Sequence, residues 1–215
     1  MDLYQIFQTP NPIIGVVHLL PLPSSPRWEG NLSAVMDRAA REATALASGG
    51  VDGIIVENFF DAPFAKTQVD PAVVSAMTSI VQRLMHLVAL PIGINVLRND
   101  ARSALAIASC VGAKFIRVNV FTGTMVTDQG LIEGQAHELL RYRRELGSDA
   151  KILADVNVKH ARHLGSPNLT IAVQETLERG LADGVILSGW ATGSPPTLED
   201  LELAKAAAGD SPVFI

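Results

Sequence analysis

The sequence predicts an α/β fold, a TIM-type (β/α)8 barrel that is incomplete at its C-terminus, with about six βα units followed by strand seven. Three observations carry that prediction. Short apolar runs alternate with helix-like segments along the 215 residues. The runs end on, or carry near their ends, polar residues: His18, Glu57, Asn95, Arg117 with Asn119, Asp155 with Asn157 and Lys159, and Ser188. Polar residues at the C-terminal ends of parallel strands are the sequence mark of a barrel mouth. The units also echo one another: Gly50-Val51-Asp52-Gly53-Ile54-Ile55-Val56 is repeated as Gly180-Leu181-Ala182-Asp183-Gly184-Val185-Ile186-Leu187, and more loosely around Val111–Arg117. A recurring helix–Gly–strand unit of about 30–40 residues favours stacked βα units, here read as one domain over residues 1–215.

The first strand is Ile13–His18, followed by a Pro-rich loop over Leu19–Gly30. A helix starts near Ser33 and stops at Gly49-Gly50, a C-cap signal. Strand two is Asp52–Glu57. The next helix opens on Asp70-Pro71, an N-cap with proline at the first helical position. Val73, Ala76, Ile80, Leu84 and Leu87 then recur at steps of three and four and make one apolar face. Strand three, Pro91–Val96, leads through Asn99-Asp100 into a helix over Ala101–Val111. Strand four is Lys114–Val120, and Phe121–Gly134 reads as a Gly- and Thr-containing loop before a helix over Gln135–Leu146. Strand five, Lys151–Lys159, is the longest alternating run, and a helix around Thr170–Arg179 precedes strand six, Asp183–Ser188. Thr197-Leu198-Glu199-Asp200 resembles a capping box and opens a helix that ends at Gly209. Pro212–Ile215 reads as the start of strand seven.

A full barrel of this type takes about 250 residues, so helix seven and the last βα unit have no sequence to come from. Strands one and seven would then carry unpaired edges, a hazard for association. The expectation is a truncated form of a longer protein, with a second copy of the chain as one way to cover the edges.

Composition bounds the function. Hydrophobic residues make up 48% and charged residues 18%, which suits buried parallel strands rather than a disordered tail. A net charge of −5 argues against a general nucleic-acid surface. No apolar stretch reaches the roughly 18–20 residues of a bilayer span, and Met1–Pro12 does not read as a signal peptide. Cys110 is the one cysteine, so no intrachain disulfide forms; it reads as a small buried helix residue in a reducing compartment.

Alternation in strand five puts Asp155, Asn157 and Lys159 on one face. With the repeat aligned, Gly53, Ile55 and Glu57 correspond to Gly184, Ile186 and Ser188, and this face is taken as pointing into the barrel. His18, Glu57, Asp155 and Lys159 are then the candidate catalytic residues, an acid–base set at one mouth. Arg117 or Lys159 would hold an anion, and a desolvated Lys159 suits a Schiff base. Asn58, Asn95, Asn119, Asn157, Ser188 and Thr192 are candidate substrate contacts. Each has a plainer alternative: a neutralising ion pair for Asp155, a hydrogen-bonded core histidine for His18, and loop capping for Asn58, Asn95 and Asn119. Glu57 is the hardest to read plainly, since an acid behind five apolar or glycine residues needs a partner. His18, Glu57 and Asp155 carry metal-ligating atoms, but nothing in their spacing demands a metal, and His160 and His163 read as loop residues. The sequence names no cofactor: it has no Walker loop, no GxGxxG after a strand and no HExxH.

Several blocks resemble the BtpA family. Ile14-Gly15-Val16-Val17-His18-Leu19 with Pro21-Leu22-Pro23 and Ser25-Pro26-Arg27 is similar to its opening signature. Gly53–Phe59 with Asp61-Ala62-Pro63-Phe64 resembles its second block. Asn95–Asp100, Phe115–Asn119, Thr127–Gly130 with Ile132–Gly134, Ala154–Val156 with Val158–Ala161, and Ser188-Gly189 with Thr192-Gly193 follow in order. The resemblance implies a TIM-type barrel and, for cyanobacterial and plastid-lineage members, a role in photosystem I biogenesis or stability. It further implies an extrinsic protein on the cytoplasmic side of the thylakoid, with photosystem I subunits or assembly factors as partners. A protein partner or the apolar loop Leu19–Trp28 would make the membrane contact, since no basic amphipathic helix or lipidation motif is present. Other members lie beside sugar-metabolism genes in bacteria without photosynthesis, which implies an enzyme-like alternative: a lyase, aldolase or isomerase on a phosphorylated or sugar-like small molecule. The chain departs from the family pattern at Ser24, where Gly is expected, and in lacking the Gly-rich loop after strand seven.

Overall fold

The structure, a computed structural model, describes residues 1–165, 168–189 and 191–215. Contacts divide the chain into two compact units, Asp2–Ile116 with Ser148–Ala150, and Arg117–Gly147 with Lys151–Ile215 and Met1.

The first unit begins with a short helix, α1 (Leu3–Phe7), that the sequence pattern does not announce. It continues through β1 (Ile14–His18), α2 (Leu32–Ser48), β2 (Gly53–Glu57), a 3-10 turn over Phe59–Asp61, α3 (Pro71–Leu87), β3 (Ile92–Asn95), α4 (Ala101–Val111) and the start of β4 (Phe115–Val118). The pairs β1–β2, β2–β3 and β3–β4 are all parallel. The helices begin where capping chemistry dictates: Asn31, Asp70 and Asp100 accept the N–H of Ala34, Ala72 and Ser103 through their side chains. α4 ends on Gly112 at φ +78°, a conformation that suits glycine.

Two inward glycines are explained by one aromatic pair. A Cβ on Gly53 would lie 2.8 Å from the Phe7 ring, and one on Gly93 would overlap the Phe115 ring. Phe7 and Phe115 meet edge to face at 5.6 Å, so α1 supplies a plug against the first residues of β2 to β4. Outside the strands, α3 buries Val73, Ala76, Ile80 and Leu84 as the periodicity predicts, whereas Leu87 is left exposed at the helix end. Cys110 corrects the sequence reading, because it is exposed. α4 buries Ala104, Leu105, Ile107 and Ala108, and two residues beyond Ala108 the helix has turned by about 200°.

The second unit holds the rest of β4, then β5 (Thr124–Thr127), β6 (Gly130–Glu133), α5 (Ala136–Glu145), β7 (Lys151–Asn157), β8 (Ala161–His163), α6 (Leu169–Gln174) continued by a π-helical turn Glu175–Arg179, β9 (Gly184–Leu187), α7 (Leu198–Ala208) and β10 (Val213–Phe214). β7 pairs with β9 and β9 with β10, again in parallel. Val156, Val173, Val185, Leu187, Ala204 and Ala208 form its main core. Thr197 caps α7 by accepting the Asp200 N–H at 3.0 Å, as the capping-box reading expects.

The segment read as a loop is instead a small antiparallel sheet in the order β6-β5-β8. β5 and β6 form a hairpin with Gly130 at φ +94°, and β8 joins from the far side of β7. Its buried Met125 and Ile132 make a separate core with Val120 and Val158. Three or four residues per strand are too few for alternation to stand out against the neighbouring Gly and Thr. Taken together, seven strands run in the order β1-β2-β3-β4-β7-β9-β10, the sequential pattern of an incomplete TIM-type barrel.

Candidate functional site

In the first unit, His18, Glu57 and Asn95 stand on one rung, because β1, β2 and β3 pair in register His18↔Glu57 and Glu57↔Asn95. Parallel strands with one register bring their terminal side chains side by side, which is how residues far apart in sequence become neighbours. Glu57 is buried; its Oε1 accepts from Asn95 Nδ2 at 3.1 Å and its Oε2 lies 3.6 Å from His18 Nε2. The partner that a buried acid requires is therefore present. The His18 ring stacks on Phe59 at 4.2 Å and meets Phe60 edge-on at 6.4 Å, while the Arg38 guanidinium lies 5.3 Å from the Phe60 centroid. His18 keeps 38% of its side-chain surface exposed, so it is an accessible imidazole backed by a carboxylate rather than a core histidine. That arrangement suits proton transfer at the imidazole with Glu57 stabilising the charged ring.

Beside this rung lies a group that sequence reasoning missed. Asp61, buried, accepts the Leu22 N–H at 2.7 Å on one oxygen and Asn58 Nδ2 at 2.9 Å on the other. Burial pushes its carboxyl pKa above the ordinary 3.8, against the lowering effect of those hydrogen bonds. Asn58 also accepts the Leu97 N–H at 2.7 Å and donates to the Leu97 carbonyl at 3.3 Å. Asn58 thus ties the segment after β2 to that after β3, and Asp61 adds the segment after β1, which is the loop-capping alternative for Asn58. The two residues border a cavity of about 280 Å³ with Ser24, Ser25 and Phe64. The sequence signals for Asp61 were an acid placed between Phe59-Phe60 and Ala62-Pro63 and its place in the second family block.

The second unit holds a second set. Arg117 on β4 grips Asp155 on β7, with Nε to Oδ2 at 3.2 Å and Nη2 to Oδ1 and Oδ2 at 3.2 and 3.1 Å. Asn119 Nδ2 donates to the same Oδ2 at 2.7 Å. The Asp155 side chain is fully buried and that of Arg117 is 18% exposed. A guanidinium fork closed on a carboxylate has its charge already met, so the ion-pair alternative describes Arg117 better than a free anion grip. Facing Asp155 fixes the Asn119 amide with its nitrogen toward the carboxylate. Its Oδ1 is buried without a hydrogen-bond partner among the described residues.

The expected alternation over Asp155, Asn157 and Lys159 is interrupted. β7 ends at Asn157, and a bulge between Asp155 and Asn157 sets them against consecutive residues, Ile186 and Leu187. Lys159 falls in the turn beyond the strand, where alternation no longer governs direction. Asn157 lines a cavity of about 300 Å³ with Ser188, His163 and Asp200. Thr192 Oγ1 lies 3.0 Å from His160 Nε2 at an exposed position. His163 is no loop residue: it sits half-buried on β8, its Nε2 at 3.1 Å from the Val156 carbonyl. Among the described residues, no three of His, Cys, Asp or Glu are grouped to hold a metal ion.

The fold and its polar strand ends define a protein of the TIM-barrel class. In keeping with that, the structure is similar to a mandelate racemase/muconate lactonizing enzyme-like protein from Rubrobacter xylanophilus, with TM-score 0.62 and 15% identity. The match takes in 94% of this chain and 49% of that one, so the chain spans about half the length of this structural relative, and the likeness speaks for fold alone. The chain belongs to the BtpA family, whose model matches residues 9–215. It is 79% identical over 215 residues to the photosystem I biogenesis protein BtpA of Synechocystis, covering 100% of this chain and 75% of that protein. An uncharacterised protein of Pyrococcus furiosus is 53% identical over 194 residues, which cover 90% of this chain and 73% of the relative.

Proposed function

We propose that this chain acts in photosystem I biogenesis, as a barrel protein held at the cytoplasmic side of the thylakoid membrane by photosystem I subunits or assembly factors. The observation that carries the reading is 79% identity, over all 215 residues, to a protein of that role. Peripheral attachment is in keeping with the helices, since among the described residues none is long and apolar enough to cross a membrane. The test is deletion in a photosynthetic host that carries the gene, followed by measurement of photosystem I per chlorophyll. A selective fall in photosystem I, restored by the intact gene, is expected. Normal levels under all light and temperature regimes would refute the role. Release of the protein from membranes by carbonate or high salt is the matching expectation for attachment.

A second reading is favoured by the rung His18–Glu57–Asn95: the strand ends bind and transform a small molecule, as a lyase, aldolase or isomerase does. An exposed imidazole 3.6 Å from a buried carboxylate is a poor choice for stability alone, because the acid pays desolvation that an apolar residue would avoid. Glu57 and His18 would move protons, with Asn95 fixing the carboxylate. Lys159, outside its strand, is the weakest member of the catalytic set. Glu57→Gln keeps the shape and the Asn95 contact while removing the charge. Full complementation by that variant would leave the first reading standing without the second.

A further inference from the structure

We infer that the cavity beneath the β6-β5-β8 sheet binds a small molecule rich in O–H or N–H donors and carrying no phosphate or carboxylate. This deepens the small-molecule reading of the strand ends and rests on it. The cavity measures about 300 Å³, the lower end of the range for small-molecule sites, roughly 300–1,000 Å³. Its floor comes from the ends of two parallel strands, Asn157 after the β7 bulge and Ser188 after β9. Its roof comes from the small sheet. Met125 pairs across the strands with Ile132 on one side and His163 on the other, so the three side chains share one face. Met125 and Ile132 are buried, while the alternate row, Val126 and Leu131, is exposed, which fixes the inward side as that of His163.

The chemistry of the lining sets the class of ligand. A carbonyl oxygen only accepts, so His163 Nε2, 3.1 Å from the Val156 carbonyl, carries its hydrogen and the neutral ring keeps Nδ1 as an acceptor. Asp200 brings a carboxylate: one oxygen accepts the Thr197 hydroxyl at 2.7 Å, and a carboxylate has lone pairs for more bonds than that. Asn157 and Ser188 each donate and accept. Among the described residues no lysine or arginine lines the cavity. Among the side chains of the wall, acceptors therefore outnumber donors, and Asp200 has no lysine or arginine beside it. An anionic group would meet Asp200 unscreened, whereas hydroxyl or amino donors find matched partners.

The test is titration calorimetry and thermal melting of the intact chain with five probes: myo-inositol, D-ribose, putrescine, D-ribose 5-phosphate and inorganic phosphate. The expected result is binding by at least one of the first three and weaker or no binding by the two phosphates; inositol or ribose against putrescine separates hydroxyl from ammonium donors. Ser188→Ala and His163→Phe should each weaken the bound probe about three- to tenfold, the loss of one hydrogen bond. Should His163→Phe lower the melting midpoint of the unliganded protein, Ser188→Ala decides. Preference for the phosphorylated probe, or affinities unmoved by the variants, overturns the inference. If ribose 5-phosphate binds and Glu57→Gln abolishes it while Ser188→Ala does not, the small-molecule reading stands and this cavity is not its site. If none of the five binds the folded chain, both fall.

Discussion

Removing the Asp155 carboxylate should be the most damaging single change in the second unit. Its side chain is fully buried and takes three contacts from Arg117, at 3.1–3.2 Å, and one from Asn119 at 2.7 Å. Breaking a buried ion pair by deleting one partner costs about 3–5 kcal/mol, because the other charge is stranded. Arg117 keeps 18% of its side-chain surface and recovers some hydration, which places Asp155→Ala toward the lower end of that range. Asp155→Asn preserves volume and one acceptor but gives neutral bonds of about half the strength, so it should fall between alanine and wild type. The double replacement Arg117→Met with Asp155→Leu removes both charges together and should cost less than Asp155→Ala alone. Urea unfolding followed by circular dichroism reads all four proteins, with the slope checked for constancy. A loss below about 1 kcal/mol for Asp155→Ala would place the pair in the range of exposed salt bridges and refute the reasoning. So would a double variant that costs more than Asp155→Ala alone.

Other expectations follow from single contacts. Gly93→Ala drives a methyl into the Phe115 ring and should cost about 1–3 kcal/mol by overpacking, read as a lower melting midpoint; an unchanged midpoint would show that the Phe7–Phe115 plug yields freely. Asp61 has a raised pKa in the folded state, so its ionisation destabilises the fold, and its contribution is lost as pH rises through that value. Stability measured from neutral pH down toward the unfolded value near 3.8 should therefore gain from Asp61, and the gain should vanish in Asp61→Asn. Thr197→Ala removes the α7 cap and should cost about 1 kcal/mol, visible in chemical unfolding. His18→Phe keeps the stack on Phe59 but removes the imidazole beside Glu57, so it should abolish any strand-end activity and lower the melting temperature slightly, with Asn95 still donating to the carboxylate.

Much of the scaffold was legible because its signals are local. Asp70-Pro71, Asn99-Asp100 and Thr197–Asp200 are capping chemistry, and the helices begin there. The strands surfaced as apolar runs between glycines because parallel strands are buried on both faces. What stayed hidden depends on pairing. The β6-β5-β8 sheet joins residues 124–133 to residues 161–163 across an intervening helix and strand, and no window of sequence holds both. Phe7 likewise gains its role only from the space that Gly53 leaves, and Gly93 only from Phe115.

The candidate site shows the same division in sharper form. His18, Glu57 and Asn95 could be read from sequence because each closes an unbroken strand, and equal register does the rest. Strand five is the longest alternating run in the sequence, yet its alternation breaks before its end. One bulge residue changes which side chains follow the pleat, and a strand that stops at Asn157 leaves Lys159 without one. The consequence is chemical as well as geometric. Asp155 is bound by Arg117 and Asn119, while Asn157 lines a cavity beside Ser188 and His163. On the reading proposed for that cavity, Asn157, His163, Ser188 and Asp200 set the choice of ligand, while the Arg117–Asp155 pair braces the neighbouring strand ends.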